Sequence, residues 1–179
     1  MRESTIARNY AEALYVLGDR AGELERFGYL LDALAGSIAS DAAIRVILES
    51  PRFPKPRKAR LLRNALAPYA PEPFMRFLEA VVRRGRQGLI HAISQEYAGL
   101  VDIKLNRVHA GITLAREPDE ALRDAVRTRL AEVLGKEVIP HFRHDPEILG
   151  GVVVRVGDRV MDGSVRRRMK RLRRQMLGG

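Results

Sequence analysis

A chain of 179 residues with no cysteine has no disulfide and no thiolate metal site, and it is long enough to bury a core without such staples. Tryptophan is absent and aromatics make up 6%, which leaves most of the core to Leu, Ile, Val and Ala. The net charge of +10 is uneven: residues 155–179 carry nine Lys or Arg against Asp158 and Asp162, a local +7, so a polyanion-directed role concerns that segment alone.

The first hundred residues read as helix after helix. Ser4 or Thr5 is expected to cap a helix with Ile6, Tyr10, Ala13, Leu14 and Leu17 on one face, ended by Gly18 and Gly22. Leu24, Phe27, Leu31, Leu34 and Ile38 mark a second helix. Asp41 caps a short third one bearing Ile44, Ile47 and Leu48, which Pro51 stops. After a proline-marked turn a fourth carries Leu61, Leu62 and Leu66. Pro73 suits the first turn of a fifth, with Phe74, Phe77, Leu78, Val81 and Val82. Gly85 and Gly88 break it, and a sixth runs from Leu89 to about Lys104. Six short amphipathic helices with short loops predict a helical bundle.

The period changes from Val108. Val108, Ala110, Ile112 and Leu114 alternate with His109, Gly111 and Thr113, as in a strand. A helix opens at 117–119, shows Leu122, Val126, Leu130 and Val133, and ends at Gly135. Val138, Pro140 and Phe142 form a second strand, which the proline keeps at an edge. Val152, Val154 and Val156 make a third, and Gly157-Asp158 turns the chain back through Val160. Asp162, Gly163 and Ser164 start a helix striped by Val165, Met169, Leu172 and Met176. The expected fold is α+β and mainly helical: a six-helix bundle over 1–105, then a small α/β domain over 106–179.

No catalytic constellation emerges. His141, His144 and Asp145 are close in sequence but fall on strand and turn with no third ligand nearby, so they read as surface polar groups. Gly135-Lys136 lacks the rest of a phosphate-binding loop, and Gly150-Gly151 precedes a strand, where a bend is the ordinary role. Neither an enzyme nor a cofactor is expected. The arginine-rich last helix admits four readings: packing on its own sheet, docking an acidic protein, contact with anionic lipid, or binding nucleic acid. Its apolar stripe and its lack of aromatic stacking residues favour protein contact.

Ala7-Arg8-Asn9-Tyr10-Ala11-Glu12-Ala13-Leu14-Tyr15 resembles the opening helix of the rotary ATP synthase delta subunit family, which includes the mitochondrial oligomycin-sensitivity-conferring protein. A second, more specific match is Asp145-Pro146, Leu149-Gly150-Gly151, Val154, Gly157-Asp158, Val160 and Asp162-Gly163-Ser164-Val165, in order and spacing. Gly135-Lys136-Glu137-Val138 is similar to the family's helix end before the second strand. The unusually arginine-rich last helix is a departure.

The resemblance implies a non-catalytic stator protein, in which the bundle grips N-terminal helices of alpha subunits and the α/β domain joins the C-terminal region of the b-subunit stalk. The beta subunit would be near by proximity, and nucleic acid would not bind. Membrane association would be indirect, at the cytoplasmic face of the bacterial plasma (inner) membrane. It also implies a groove between the first and fifth helices, for which Tyr10, Ala13, Leu14, Phe77, Leu78 and Val81 are the candidates, Tyr10 and Phe77 foremost. Arg167 and Arg171 are candidates for meeting acidic residues of the stalk. A different class, a basic nucleic-acid-binding protein using the arginine-rich helix, stands as the alternative.

Overall fold

In the computed structural model, which describes residues 2–177, helix α1 (Arg2–Ala21) shows how the first unit is packed. Ala7, Ala11 and Leu14 are fully buried, and with Gly18 they form one seam at helical spacing. Small residues let the neighbouring helix come close. A Cβ on Gly18 would lie 2.9 Å from the Tyr97 hydroxyl oxygen, so a side chain does not fit there. Gly18 is therefore an interior packing residue, and the helix ends at Gly22 (φ +67°) instead. Nor do Ser4 and Thr5 cap α1: the helix begins at Arg2, with Glu3 in its first turn, and runs through both.

The remaining helices of this unit are α2 (Leu24–Ser40), α3 (Ala42–Glu49), α4 (Lys55–Leu66), α5 (Glu72–Arg83) and α6 (Ile90–Lys104), the last entered through a 3-10 turn at Gln87–Leu89. Asp41 caps α3 by accepting the N–H groups of Ala43 and Ile44. Pro56 and Pro73 occupy the first turns of α4 and α5, where a missing N–H costs no intrahelical bond. Phe27 and Phe74 meet edge to face at 5.4 Å in the core, beside Leu31, Leu78, Val81 and Ile93. The buried Tyr97 hydroxyl donates to the Leu24 carbonyl at 2.9 Å, and burial pushes its pKa up. At the surface Arg63 ties α4 to α5 through Glu79 (2.6 Å) and Glu72 (3.2 Å).

The chain divides into two units between Ile103 and Lys104; Met1, Gly178 and Gly179 of the expected ranges lie outside the described residues. The second unit holds β1 (Arg107–Leu114), α7 (Glu120–Leu134), β2 (Glu137–His144), β3 (Val152–Val156), β4 (Arg159–Asp162) and α8 (Val165–Leu177). Its sheet has the order β2-β1-β3-β4. β1 and β2 are parallel, which requires the crossover that α7 supplies, whereas β3 runs antiparallel to both β1 and β4. Pro140 sits on β2, an edge strand, where one side of the backbone needs no donor.

One face of this sheet packs under α7: Ala110, Ile112, Leu114, Val138 and Val154 meet Leu122, Val126, Leu130, Ala131 and Leu134. The expected Val133 is 62% exposed, because the packed stripe continues at i+4 from Leu130 to Leu134. Helix α8 differs more from expectation. None of its residues is buried, and Met169, Leu172 and Met176 are 57%, 57% and 79% exposed. It does not pack on its own sheet, since α7 already covers the core face.

Candidate protein-binding sites

In the first unit, Ile6, Asn9, Tyr10 and Ala13 of α1 line an open groove of about 580 Å³, with Arg84 and Arg86 from the end of α5 on its other side. Ala13 is exposed and Tyr10 half-buried. The Tyr10 ring stands edge-on to Phe77 at 6.2 Å, which fixes its position in the groove. Phe77 itself is 6% exposed. Leu14, Leu78 and Val81 are core residues, at 0%, 1% and 0%. Of the six candidates for this groove, Tyr10 and Ala13 line it, Phe77 backs it, and the other three are placed too deep to meet a partner directly. On α1 the inward seam Ala7–Ala11–Leu14 lies one step around the helix from Ile6–Tyr10–Ala13, and apolarity alone does not separate two adjacent stripes. Arg84 and Arg86 were not among the candidates; two arginines at the break after a strongly amphipathic helix were the available signal.

In the second unit the site is built around the base of α8. The Asp162 carboxylate accepts the Ser164 N–H (3.0 Å), and the buried Ser164 hydroxyl accepts the Arg167 N–H (3.1 Å), a side-chain cap of the helix. Bonds from the side chain and backbone of Ser164, with a smaller contribution from Arg167, hold the Asp162 carboxyl below its ordinary pKa. The Val165 N–H donates to the Gly150 carbonyl (2.9 Å), and Arg166 pairs with Glu147 of the 3-10 turn Pro146–Ile148 (3.0 Å).

Gly151 has φ +80°, and a Cβ there would fall 2.5 Å from the Gly163 carbonyl oxygen. Leu149-Gly150-Gly151 and Asp162-Gly163-Ser164-Val165 are thus two halves of one joint that seats α8. The bend expected at Gly150-Gly151 is present, and its second role is seen only in three dimensions. Arg167 and Arg171 lie on one side of α8, facing β4 across a depression of about 770 Å³ that Arg168 and Arg174 also line.

His141 pairs with His109 of the neighbouring strand, Nε2 to Nδ1, at 2.8 Å, a partner 32 residues away that local spacing does not reveal. His144 instead lies 3.0 Å from the Ala115 carbonyl, and Asp145 caps the following turn through the Glu147 N–H. Among the described residues no group of three or more His, Cys, Asp or Glu is gathered to hold a metal ion. The groove on α1 has apolar and aromatic side chains with two arginines beyond them, whereas the depression at α8 is lined mainly by guanidinium groups.

Comparison with known proteins identifies the family. The sequence profile of the family described as ATP synthase delta (OSCP) subunit matches residues 6–176. The chain is 48% identical to the ATP synthase subunit delta of Gemmatimonas aurantiaca, over 97% of this chain and 94% of that one. It is 36% identical to the protein of the same name from Salinibacter ruber, over 93% and 87%. The fold is similar to a chain in the Toxoplasma gondii mitochondrial ATP synthase hexamer, with a TM-score of 0.69 at 18% identity, covering 96% of this chain and 97% of that one. With a profile match spanning both units and the glycine joint in place, this chain belongs to the ATP synthase delta (OSCP) subunit family.

Proposed function

We propose that the chain holds the rotary ATP synthase at two points: N-terminal helices of alpha subunits in the α1 groove, and the C-terminal region of the b subunit at α8. As a family member it is a non-catalytic stator protein of F-type ATP synthase and associates with other subunits of that complex. The rotor turns against the catalytic head, so a tie between head and stalk lets the head resist the torque. The observation that carries the two-ended reading is one uncovered amphipathic surface in each unit: the Ile6–Tyr10–Ala13 face of α1 and the Val165–Met169–Leu172–Met176 face of α8. In this reading the beta subunit is a neighbour by proximity. No helix among the described residues is long and apolar enough to cross a membrane, and attachment to the cytoplasmic face of the plasma membrane runs through the complex.

The test uses calorimetry of the full chain with a peptide that reproduces the N-terminal helix of the alpha subunit. Ala13 is exposed, so Ala13→Asp leaves the fold intact while placing a charge against the apolar face of the incoming helix. Affinity is expected to fall by about 100-fold, the equivalent of burying one poorly compensated polar group. Unchanged affinity would move the site for the alpha helix elsewhere on the bundle.

A further inference from the structure

We infer that the depression between α8 and β4 is a docking groove for the acidic face of a partner helix, one presenting carboxylates at i, i+4 and i+7. This rests on the reading that α8 meets the stalk, and it names the chemistry of that contact. Arg167, Arg171 and Arg174 are spaced by four and three residues, which places them on one side of α8 over about 10 Å of its length. Arg168 borders the same groove. At 100° per residue, this row centres on the side of the helix away from Val165, Met169, Leu172 and Met176. Helix α8 therefore offers two distinct exposed faces, one apolar and one cationic.

The opposite wall belongs to β4, whose Val160 and Met161 are 55% and 42% exposed. Asp162 is the one acidic side chain among the described residues lining the groove, and it is already engaged by the Ser164 N–H and, at 3.9 Å, by Arg167. Four guanidinium groups thus face a space that holds one committed carboxylate. Guanidinium forks match carboxylates in bidentate pairs. A helix lying along α8 repeats its side chains with the same rise, so carboxylates at i, i+4 and i+7 meet the arginines in register. The methylenes of Glu or Asp and the residues beside them would cover Val160 and Met161. Nucleic acid fits less well, because neither α8 nor β4 has an aromatic side chain on which a base could stack. The arginine row then sets which partner docks and in which register, and burial of Val160 and Met161 adds apolar area beside it.

The experiment measures binding of the full chain to a stalk fragment, the C-terminal region of the b subunit, across a salt series, with phosphatidylglycerol vesicles and mixed-sequence RNA as competing probes. Arg167→Glu with Arg171→Glu is expected to weaken fragment binding about tenfold or more at low salt, as exposed attractions become repulsions. A fragment with its facing Glu and Asp residues changed to Lys should lose binding to the native chain and regain it with the doubly reversed one. Fragment binding that is equal for native and reversed chains would overturn the groove while leaving the stator reading standing. No binding of the fragment to the native chain would overturn both. Tighter binding of vesicles or RNA than of the fragment at physiological salt would assign the groove to a different occupant and overturn the inference.

Discussion

Helices α1 and α8 are both amphipathic, yet the molecule uses them in opposite ways. α1 buries Ala7, Ala11 and Leu14 completely and keeps a neighbouring stripe open as the wall of a groove. α8 buries none of its side chains and is held by its first turn, through the Ser164 cap, the Gly150 carbonyl and the Arg166–Glu147 pair. A groove wall backed by a core is stiff before a partner arrives. A 13-residue helix held at one end is marginal by itself in water and gains order from what covers it. Amphipathicity thus shows that a face must be covered but not whether the covering surface is in the same chain.

Mutations that act on only one side of this contrast test it. The largest effect is expected for Phe27→Ala, which empties a fully buried site against Phe74 and should cost about 3–5 kcal/mol in thermal or denaturant unfolding. Survival of the native melt would mean that the first unit is far less tightly packed than described. Gly151→Ala forces a methyl group against the Gly163 carbonyl at a positive φ, and about 1–3 kcal/mol should be lost. Amide exchange should rise in α8 and its joint and stay unchanged in α1; a uniform response across the chain would contradict a local joint.

Ser164→Ala removes the cap and should destabilise α8 by about 1 kcal/mol, visible as faster exchange over Val165–Leu177. The same joint predicts a pH response. Because the Asp162 carboxyl has a folded pKa below its unfolded value of about 3.9, its contribution is complete above the unfolded value. That contribution is lost as pH falls through the depressed folded value. Asp162→Asn should therefore abolish the acid-side loss of α8 protection that the native chain shows between those two values.

The smallest effect on stability belongs to Leu172→Asp. With the side chain 57% exposed and no buried neighbour in its helix, the change should be under about 0.5 kcal/mol, leaving the melt in place. Binding to the stalk fragment should nevertheless be lost. Unfolding of the second unit by this substitution would show that α8 packs on the sheet after all.

Several elements were readable because their causes are local. Asp41 and Asp119 cap helices with their own carboxylates, Gly135 adopts φ +63° at a helix end, and Pro140 excludes β2 from the sheet interior. The alternation over β1 also followed from side chains lying on two sides of one strand. The two candidate surfaces were less legible. Tyr10 and Ala13 could be named as groove residues, but Leu14, Leu78 and Val81 have the same apolar character and went inside.

What the sequence determined by itself was therefore the inventory: which segments are helix or strand, where turns must fall, and which family the chain belongs to through its glycine- and aspartate-marked motifs. Those follow from side-chain period, cap chemistry and backbone freedom, each acting within a few residues. Only the tertiary structure decided that Gly18 yields to Tyr97, that His109 meets His141 across two strands, and that Gly151 lies against Gly163 to seat α8. It also decided that α7, rather than α8, covers the sheet. Each of these depends on which distant surface arrives first at a limited volume, and close packing admits only one occupant.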